Sequence, residues 1–381
     1  FNDHDARSFR RGGWWQYAVE EAKAVREGVG LIDATAFTKH VVKGPGATAF
    51  LDWFTTNKLP KIGRINLTYA LTAAGTTRTE YTIVRRGEND YYLVSAGAWT
   101  DYDADFLRKA AEDKAAEFGY IEIQNVTTQY GVFAIAGPKS RDVLKELIKD
   151  ADPESALSNK RFPWLSAQRI ELGMCPVDAI RVAYTGELGW ELHHPIEMQN
   201  YIFDLLMEAG AEFDIKPFGI RAMTLMALEK SYKLIPRELS VEYAAYESGL
   251  DRFISLKKPG FFGKDALLAW KDKGLSNTLV TMEVHGVTDA DARGSEAIYK
   301  DGEIVGLLGL NGAGKSTILK VLGCFLVPSR GDARIGGYSV LEAPDDVRRM
   351  IGYLPDTPPL YNEMSTRDYL RFVARLKNIS R

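Results

Sequence analysis

The run Gly309-Leu310-Asn311-Gly312-Ala313-Gly314-Lys315-Ser316-Thr317 constrains this chain more than any other segment. It is a full G-x-x-x-x-G-K-S/T loop. Strand-like Gly302-Glu303-Ile304-Val305-Gly306 precedes it, and Ile318, Leu319, Val321 and Leu322 follow at a spacing that suits a helix. Such a loop works because glycines let several backbone N–H groups turn toward one phosphate, and the helix N-terminus behind it adds positive potential. Gly309, Gly312 and Gly314 supply that freedom, with Asn311 and Thr317 beside them. Lys315 supplies charge for β/γ-phosphates, and Ser316 an oxygen for Mg²⁺. The loop predicts a strand–loop–helix unit of an α/β sheet, begun late in a chain of 381 residues.

The sequence before this loop has a different character. Ala18, Val19, Ala22, Ala24 and Val25 recur at helical spacing, and Gly28 and Gly30 close the run before strand-like Leu31-Ile32. Strand-like segments follow at 39–43, 81–85, 91–95 and 131–136, bounded by turn formers. Val143, Leu144, Leu147 and Ile148 form one helical stripe, and Met198, Tyr201, Ile202, Leu205 and Leu206 another. This is an α+β pattern rather than a βαβ series. Lys257-Lys258-Pro259-Gly260 is a basic turn-former cluster suited to a domain boundary, and a second break lies near Gly302.

Composition narrows the partners. A net charge of -3 gives no global attraction to nucleic acid or anionic membrane. No apolar run reaches the ~18 residues of a membrane span. Cys175 and Cys324 lie far apart, so neither a disulfide framework nor a zinc site is expected, and a reducing compartment, the cytoplasm, is the default.

One segment upstream suggests a binding site on its own chemistry. Tyr184-Thr185-Gly186-Glu187-Leu188-Gly189-Trp190-Glu191 is a glycine-containing turn between two strand-like segments, placing an aromatic face and a carboxylate near each other. That pair suits a flat heterocycle rich in N–H donors, such as a pterin, because a carboxylate accepts two such donors with charge assistance. A plain hairpin with exposed acids is the alternative.

Several segments together resemble, in order, the folate-binding aminomethyltransferase module of the glycine cleavage T protein and of dimethylglycine and sarcosine dehydrogenases. They are Gly44-Pro45-Gly46-Ala47 with Thr55-Thr56-Asn57, Gly63-Arg64, Gly137-Pro138-Lys139-Ser140-Arg141 and Tyr184 to Glu191. Gly219-Ile220-Arg221-Ala222 with Leu228-Glu229-Lys230, then Phe262-Gly263-Lys264-Asp265, complete the series. The resemblance covers residues 1–306. It implies one-carbon transfer to tetrahydrofolate by an aminomethyltransferase-type enzyme, with small-molecule substrates and, in the dehydrogenase-like case, an FAD oxidoreductase domain upstream. It also implies folate contacts from Tyr184, Glu191 and Arg221. Glu80 stands where the family usually has a catalytic aspartate, and a carboxylate moved by one methylene makes turnover less secure than binding. A folate-binding module without transfer chemistry is therefore a second reading.

Residues 302–381 resemble instead the start of an ABC transporter ATP-binding domain, through the phosphate loop, Gly331 to Gly337 and Ile351 to Asp356. That resemblance implies Mg-ATP as ligand and an ATP-binding fragment of an ABC transporter as the competing reading. The family's signature motif, Walker B acids and switch histidine do not occur before Arg381, so ATPase activity is not expected. The resulting expectation is a folate-binding domain over 1–260, the start of a C-terminal β-barrel over 261–301, and a partial P-loop half-domain over 302–381. Two truncated modules would then meet near 302–306.

Overall fold

Alternation along the strands builds two sheets whose faces have different partners. The computed structural model describes residues 11–235, 237–283, 285–286, 294–300, 303–309, 320–328 and 331–351, with Arg367 and Arg371. These fall into two units, one extending to Gly286 and the other lying beyond it.

In the first unit, helix α1 (Trp15–Glu27) leads into β1 (Gly30–Asp33) and β2 (Thr38–Lys43). Helix α2 (Ala47–Phe54), β3 (Ile65–Leu71), β4 (Thr77–Gly87), β5 (Asp90–Ser95), α3 (Thr100–Phe118) and β6 (Glu122–Asn125) follow. Next come β7 (Tyr130–Ala136), α4 (Ser140–Leu147), α5 (Pro153–Ala156), β8 (Ala167–Leu172), β9 (Cys175–Ile180) and β10 (Gly189–Pro195). Helix α6 (Gln199–Ala209), β11 (Lys216–Pro217), α7 (Ile220–Glu229) and α8 (Lys264–Lys273) complete it. The expected helices and strands are therefore present. One sheet is six-stranded, in the order β11-β1-β7-β10-β9-β8, and the other five-stranded, in the order β3-β4-β5-β2-β6. All their pairings are antiparallel except β1 with β11.

Each sheet buries both faces. Leu31, Phe133, Ile135, Trp190 and Leu192 of the six-stranded sheet pack on Val143 and Leu144 of α4 and Ile202 and Leu206 of α6. Val42, Tyr81, Ile83 and Leu93 of the other sheet pack on α2 and α3. The remaining faces meet each other through Ile65, Val84, Tyr92, Val94 and Ile180. Burial of apolar surface on both sides of each sheet gives a four-layered α/β/β/α stack.

Three features differ from the sequence reading. The cluster at 257–260 lies within the first unit: Lys258 is buried, and its Nζ donates to the carbonyls of Thr55 (2.6 Å) and Asn57 (3.0 Å). Burial lowers its pKa, and those carbonyls replace the water it has lost. Residues 261–301 contain α8 and β12 (Gly294–Lys300), and none of the described sheets closes into a barrel, which would require both edges to pair. In the second unit, β13 (Glu303–Gly309) pairs antiparallel with β12. Among the described residues no parallel neighbour joins it, and residues 310–319, where the expected loop and the start of its helix fall, lie outside the described residues.

Candidate functional site

The site grows from an irregularity in β4. Ala70 pairs with Thr79 and Leu71 with Thr77, so Arg78 is an extra residue in the ladder. A bulge of this kind re-aims the side chains around it. Thr79 and Tyr81 face α3, where Thr79 donates to Asp103 (3.2 Å), and the Arg78 guanidinium lies over the rings of Tyr102 and Phe106 on the same side. Glu80 is left on the opposite face, across the ladder from Tyr69 and without the arginine that strict alternation would place beside it.

Tyr184 approaches Glu80 from the turn after β9. Its hydroxyl lies 3.5 Å from both Glu80 carboxyl oxygens and donates to the carbonyl of Lys233 at 2.5 Å. Burial pushes the Glu80 carboxyl up to about 8, and the Tyr184 contact only partly opposes this. Burial, followed by the neighbouring Glu80, raises Tyr184. The Tyr184 ring meets Tyr232 edge-on at 5.8 Å.

The turn is held in place by Arg26 of α1. Its Nη1 donates to the Thr185 carbonyl (2.8 Å) and the Glu187 carboxylate (2.7 Å), while Nη2 reaches Glu229 of α7 (2.6 Å). These two carboxylates raise the Arg26 pKa against the opposing effect of burial. Gly186 occupies φ +74° in this turn, which is why glycine stands there.

Beyond the turn, β10 directs Trp190 and Leu192 into the helix-covered core and Glu191 and His193 toward the other sheet. Glu191 is 9% exposed, and its Oε2 lies 3.3 Å from His193 Nε2. Tyr184 and Glu191 line one narrow space with Ile32, Ala134, Ala136 and Met223. The structure thus brings Glu80, Tyr184 and Glu191 to one region between the sheets.

Arg221 is not part of that group. It is exposed in the first turn of α7, with its guanidinium 4.3 Å from the ring centroid of Trp14. Of the phosphate-loop residues, Gly309 ends β13, whereas Asn311, Gly312, Gly314, Lys315, Ser316 and Thr317 lie outside the described residues. Sequence reading missed Arg26, His193 and the Lys233 carbonyl. Only His193 had a signal, since spacing of two along a strand puts it on the same face as Glu191.

A sequence model of the GCVT N-terminal domain matches residues 3–258. The chain belongs to the GCVT family. Relatives within and around the family include mitochondrial dimethylglycine dehydrogenase of Mus musculus, 36% identical over 301 residues, which are 78% of this chain and 34% of that protein. The chain thus spans about a third of the length of that relative. A probable aminomethyltransferase of Thermococcus kodakarensis is 32% identical over 321 residues, covering 77% of this chain and 78% of that one. In fold the chain is similar to glycine cleavage system aminomethyltransferase T from Bartonella henselae, with TM-score 0.58, 21% identity, and coverage of 68% and 67% of the two chains. A separate model, that of the ABC transporter family, matches residues 294–380.

Proposed function

We propose that the first unit binds tetrahydrofolate and supports transfer of a one-carbon unit to it, as an aminomethyltransferase or as the folate module of an FAD-dependent demethylating dehydrogenase. The observation that carries this reading is the position of Tyr184, with its hydroxyl against Glu80 and its ring lining the same narrow space as Glu191. The chemistry of the donor set fits a reduced pterin. Among the described residues Glu191 Oε1 takes no hydrogen bond, so it is free to accept ring N–H or amino donors, and the aromatic and aliphatic walls, which enclose only about 20 Å³, would part to admit a flat ring.

When bound, tetrahydrofolate supplies the nucleophilic nitrogen that takes up the one-carbon unit. Glu191 then fixes the pterin edge, and Tyr184 orients the ring by packing against it. Glu80 would receive the proton that the attacking nitrogen sheds and return it to the amine that leaves as the one-carbon unit is transferred. Its raised pKa suits that role, because a cationic iminium brought alongside favours the charged carboxylate, which is then a base of nearly matched strength. Relatives named dimethylglycine dehydrogenase and aminomethyltransferase support this chemistry. The amine-derived carbon and any upstream FAD oxidoreductase belong to the same proposal. Arg221 would serve only at the outer rim, beside Trp14. Two free cysteines, Cys175 and Cys324, are in keeping with a reducing compartment such as the cytoplasm. No described helix is long and apolar enough to cross a membrane.

The deciding experiment is formation of methylenetetrahydrofolate from tetrahydrofolate and an aminomethyl donor by the parent chain and Glu80→Gln. Binding without turnover in the parent would favour the non-catalytic folate module. For residues 302–381 the ABC transporter match favours a separate reading, in which Gly309, Asn311, Gly312, Gly314, Lys315, Ser316 and Thr317 hold the phosphates of Mg-ATP, with Ser316 on the metal.

A further inference from the structure

The His193 side chain is completely buried, and its two ring nitrogens have different neighbours. Nε2 lies 3.3 Å from Glu191 Oε2, and Nδ1 lies 3.0 Å from the Tyr92 hydroxyl. Burial lowers the His193 pKa despite the adjacent carboxylate, so the ring is a neutral imidazole with one N–H.

Counting protons settles which nitrogen holds it. A carboxylate only accepts, a tyrosine hydroxyl has one proton to give, and a neutral imidazole has one donor and one acceptor. Both contacts are served only when Tyr92 O–H donates to Nδ1 and Nε2–H donates to Glu191. The other tautomer would press the Nε2 lone pair against the carboxylate, a repulsive arrangement in a dry site. Tyr92 is itself fixed, edge-on to His193 at 5.4 Å, with the Arg86 guanidinium 4.0 Å from its ring centroid and Arg86 bound to Asp178 (2.9 Å).

We infer that His193 is a positioning residue for Glu191: held by Tyr92 as the Nε2–H tautomer, it engages Oε2 and leaves Oε1 to accept N–H donors from a flat heterocycle. The ligand half of this inference rests on the folate reading; the tautomer does not. A neutral donor has a specific consequence. An arginine or lysine in this position would neutralise Glu191, whereas the imidazole fixes its rotamer and leaves its charge for the ligand. The site is then tuned to ligand edges that donate, such as an amino group next to a ring N–H, and it rejects analogues lacking them because the buried carboxylate is left unpaired.

The test uses the full chain. Long-range proton–nitrogen NMR of the ligand-free parent reports the His193 tautomer, and calorimetry with tetrahydrofolate reports binding of the parent, His193→Gln, His193→Leu and Tyr92→Phe. The expected results are the Nε2–H tautomer in the parent, at least ~10-fold weaker binding in His193→Leu, and recovery of most of that loss in His193→Gln, whose amide nitrogen restores a donor. Tyr92→Phe should bind with an intermediate affinity and show mixed tautomers. If His193→Leu does not fold, the parent spectrum and the other two variants still decide the matter. An Nδ1–H tautomer in the parent overturns the proposal, as does parent-like folate affinity in Tyr92→Phe with an unchanged tautomer. A glutamine variant that folds but binds no better than a donor-free site also overturns it. A parent chain that shows the Nε2–H tautomer but binds no folate overturns the folate reading instead.

Discussion

The Tyr184 hydroxyl is equidistant from the two carboxyl oxygens of Glu80, at 3.5 Å, while its shortest contact, at 2.5 Å, is to the Lys233 carbonyl. At 3.5 Å from each oxygen the hydroxyl gives Glu80 only a long contact, which lowers its pKa by less than burial raises it. The bulge at Arg78 leaves the Arg78 guanidinium on the other side of the strand, over Tyr102 and Phe106, where it does not pair with Glu80. Both features agree with a carboxyl group shifted toward its neutral form.

Stability of the ligand-free chain should consequently depend on pH through Glu80. The folded pKa, about 8, lies above the ordinary 4.5, so between these values the folded state binds more protons than the unfolded one. Stability is then full below the lower value and falls as pH rises through the higher one. Urea denaturation of the first unit should weaken by roughly 2–4 kcal/mol between about pH 5 and pH 9. Glu80→Gln should flatten that slope, and an unchanged slope would mean that Glu80 ionises normally.

The two residues that share the narrow space should affect different steps. Glu191→Gln should weaken tetrahydrofolate binding by about 1.5–3 kcal/mol, the range for hydrogen bonds to a charged group. Tyr184→Phe keeps the ring and loses only the hydroxyl, so it should bind nearly normally while slowing methylenetetrahydrofolate formation. Calorimetry paired with a turnover assay separates the two effects, and parent-like binding by Glu191→Gln would remove Glu191 from the site.

Arg26 should act on the site from a distance. Its side chain is 22% exposed and joins α1, the Tyr184 turn and α7. Arg26→Met should lower unfolding free energy by about 1–2 kcal/mol and weaken folate binding with it. Glu229→Gln removes only a partner that is 63% exposed, and should change stability by less than about 0.5 kcal/mol. Equal losses from the two substitutions would contradict this division.

The phosphate loop supports a different measurement. Lys315 can hold phosphate, but hydrolysis also needs a group that positions water and stabilises the departing charge. Phosphate release from Mg-ATP by a polypeptide of residues 1–381 should stay at background and be unaffected by Lys315→Ala. Turnover that disappears in the variant would overturn this expectation and assign ATPase activity to that part of the chain.

Local pattern alone determined a good deal here. Runs rich in β-branched and aromatic residues between turn formers marked β2, β4, β5 and β7, apolar stripes marked α4 and α6, and glycines marked the turn that presents Tyr184 and Glu191. These are short-range properties, set by which faces must be buried and which positions need positive φ. What only the tertiary structure decided depends on residues far apart in the chain. The bulge that separates Arg78 from Glu80 is a matter of ladder register. The clamp from Arg26 to Thr185 and Glu187 spans some 160 residues, and the Tyr92–His193–Glu191 series exists only because two sheets pack face to face. The same holds for Lys258, a solvated turn cation in sequence and a buried strap in the fold, because its carbonyl partners lie some 200 residues earlier. Spacing reveals which side chains share a face; what opposes that face is set by long-range packing, and in a desolvated space that opposition decides charge and function.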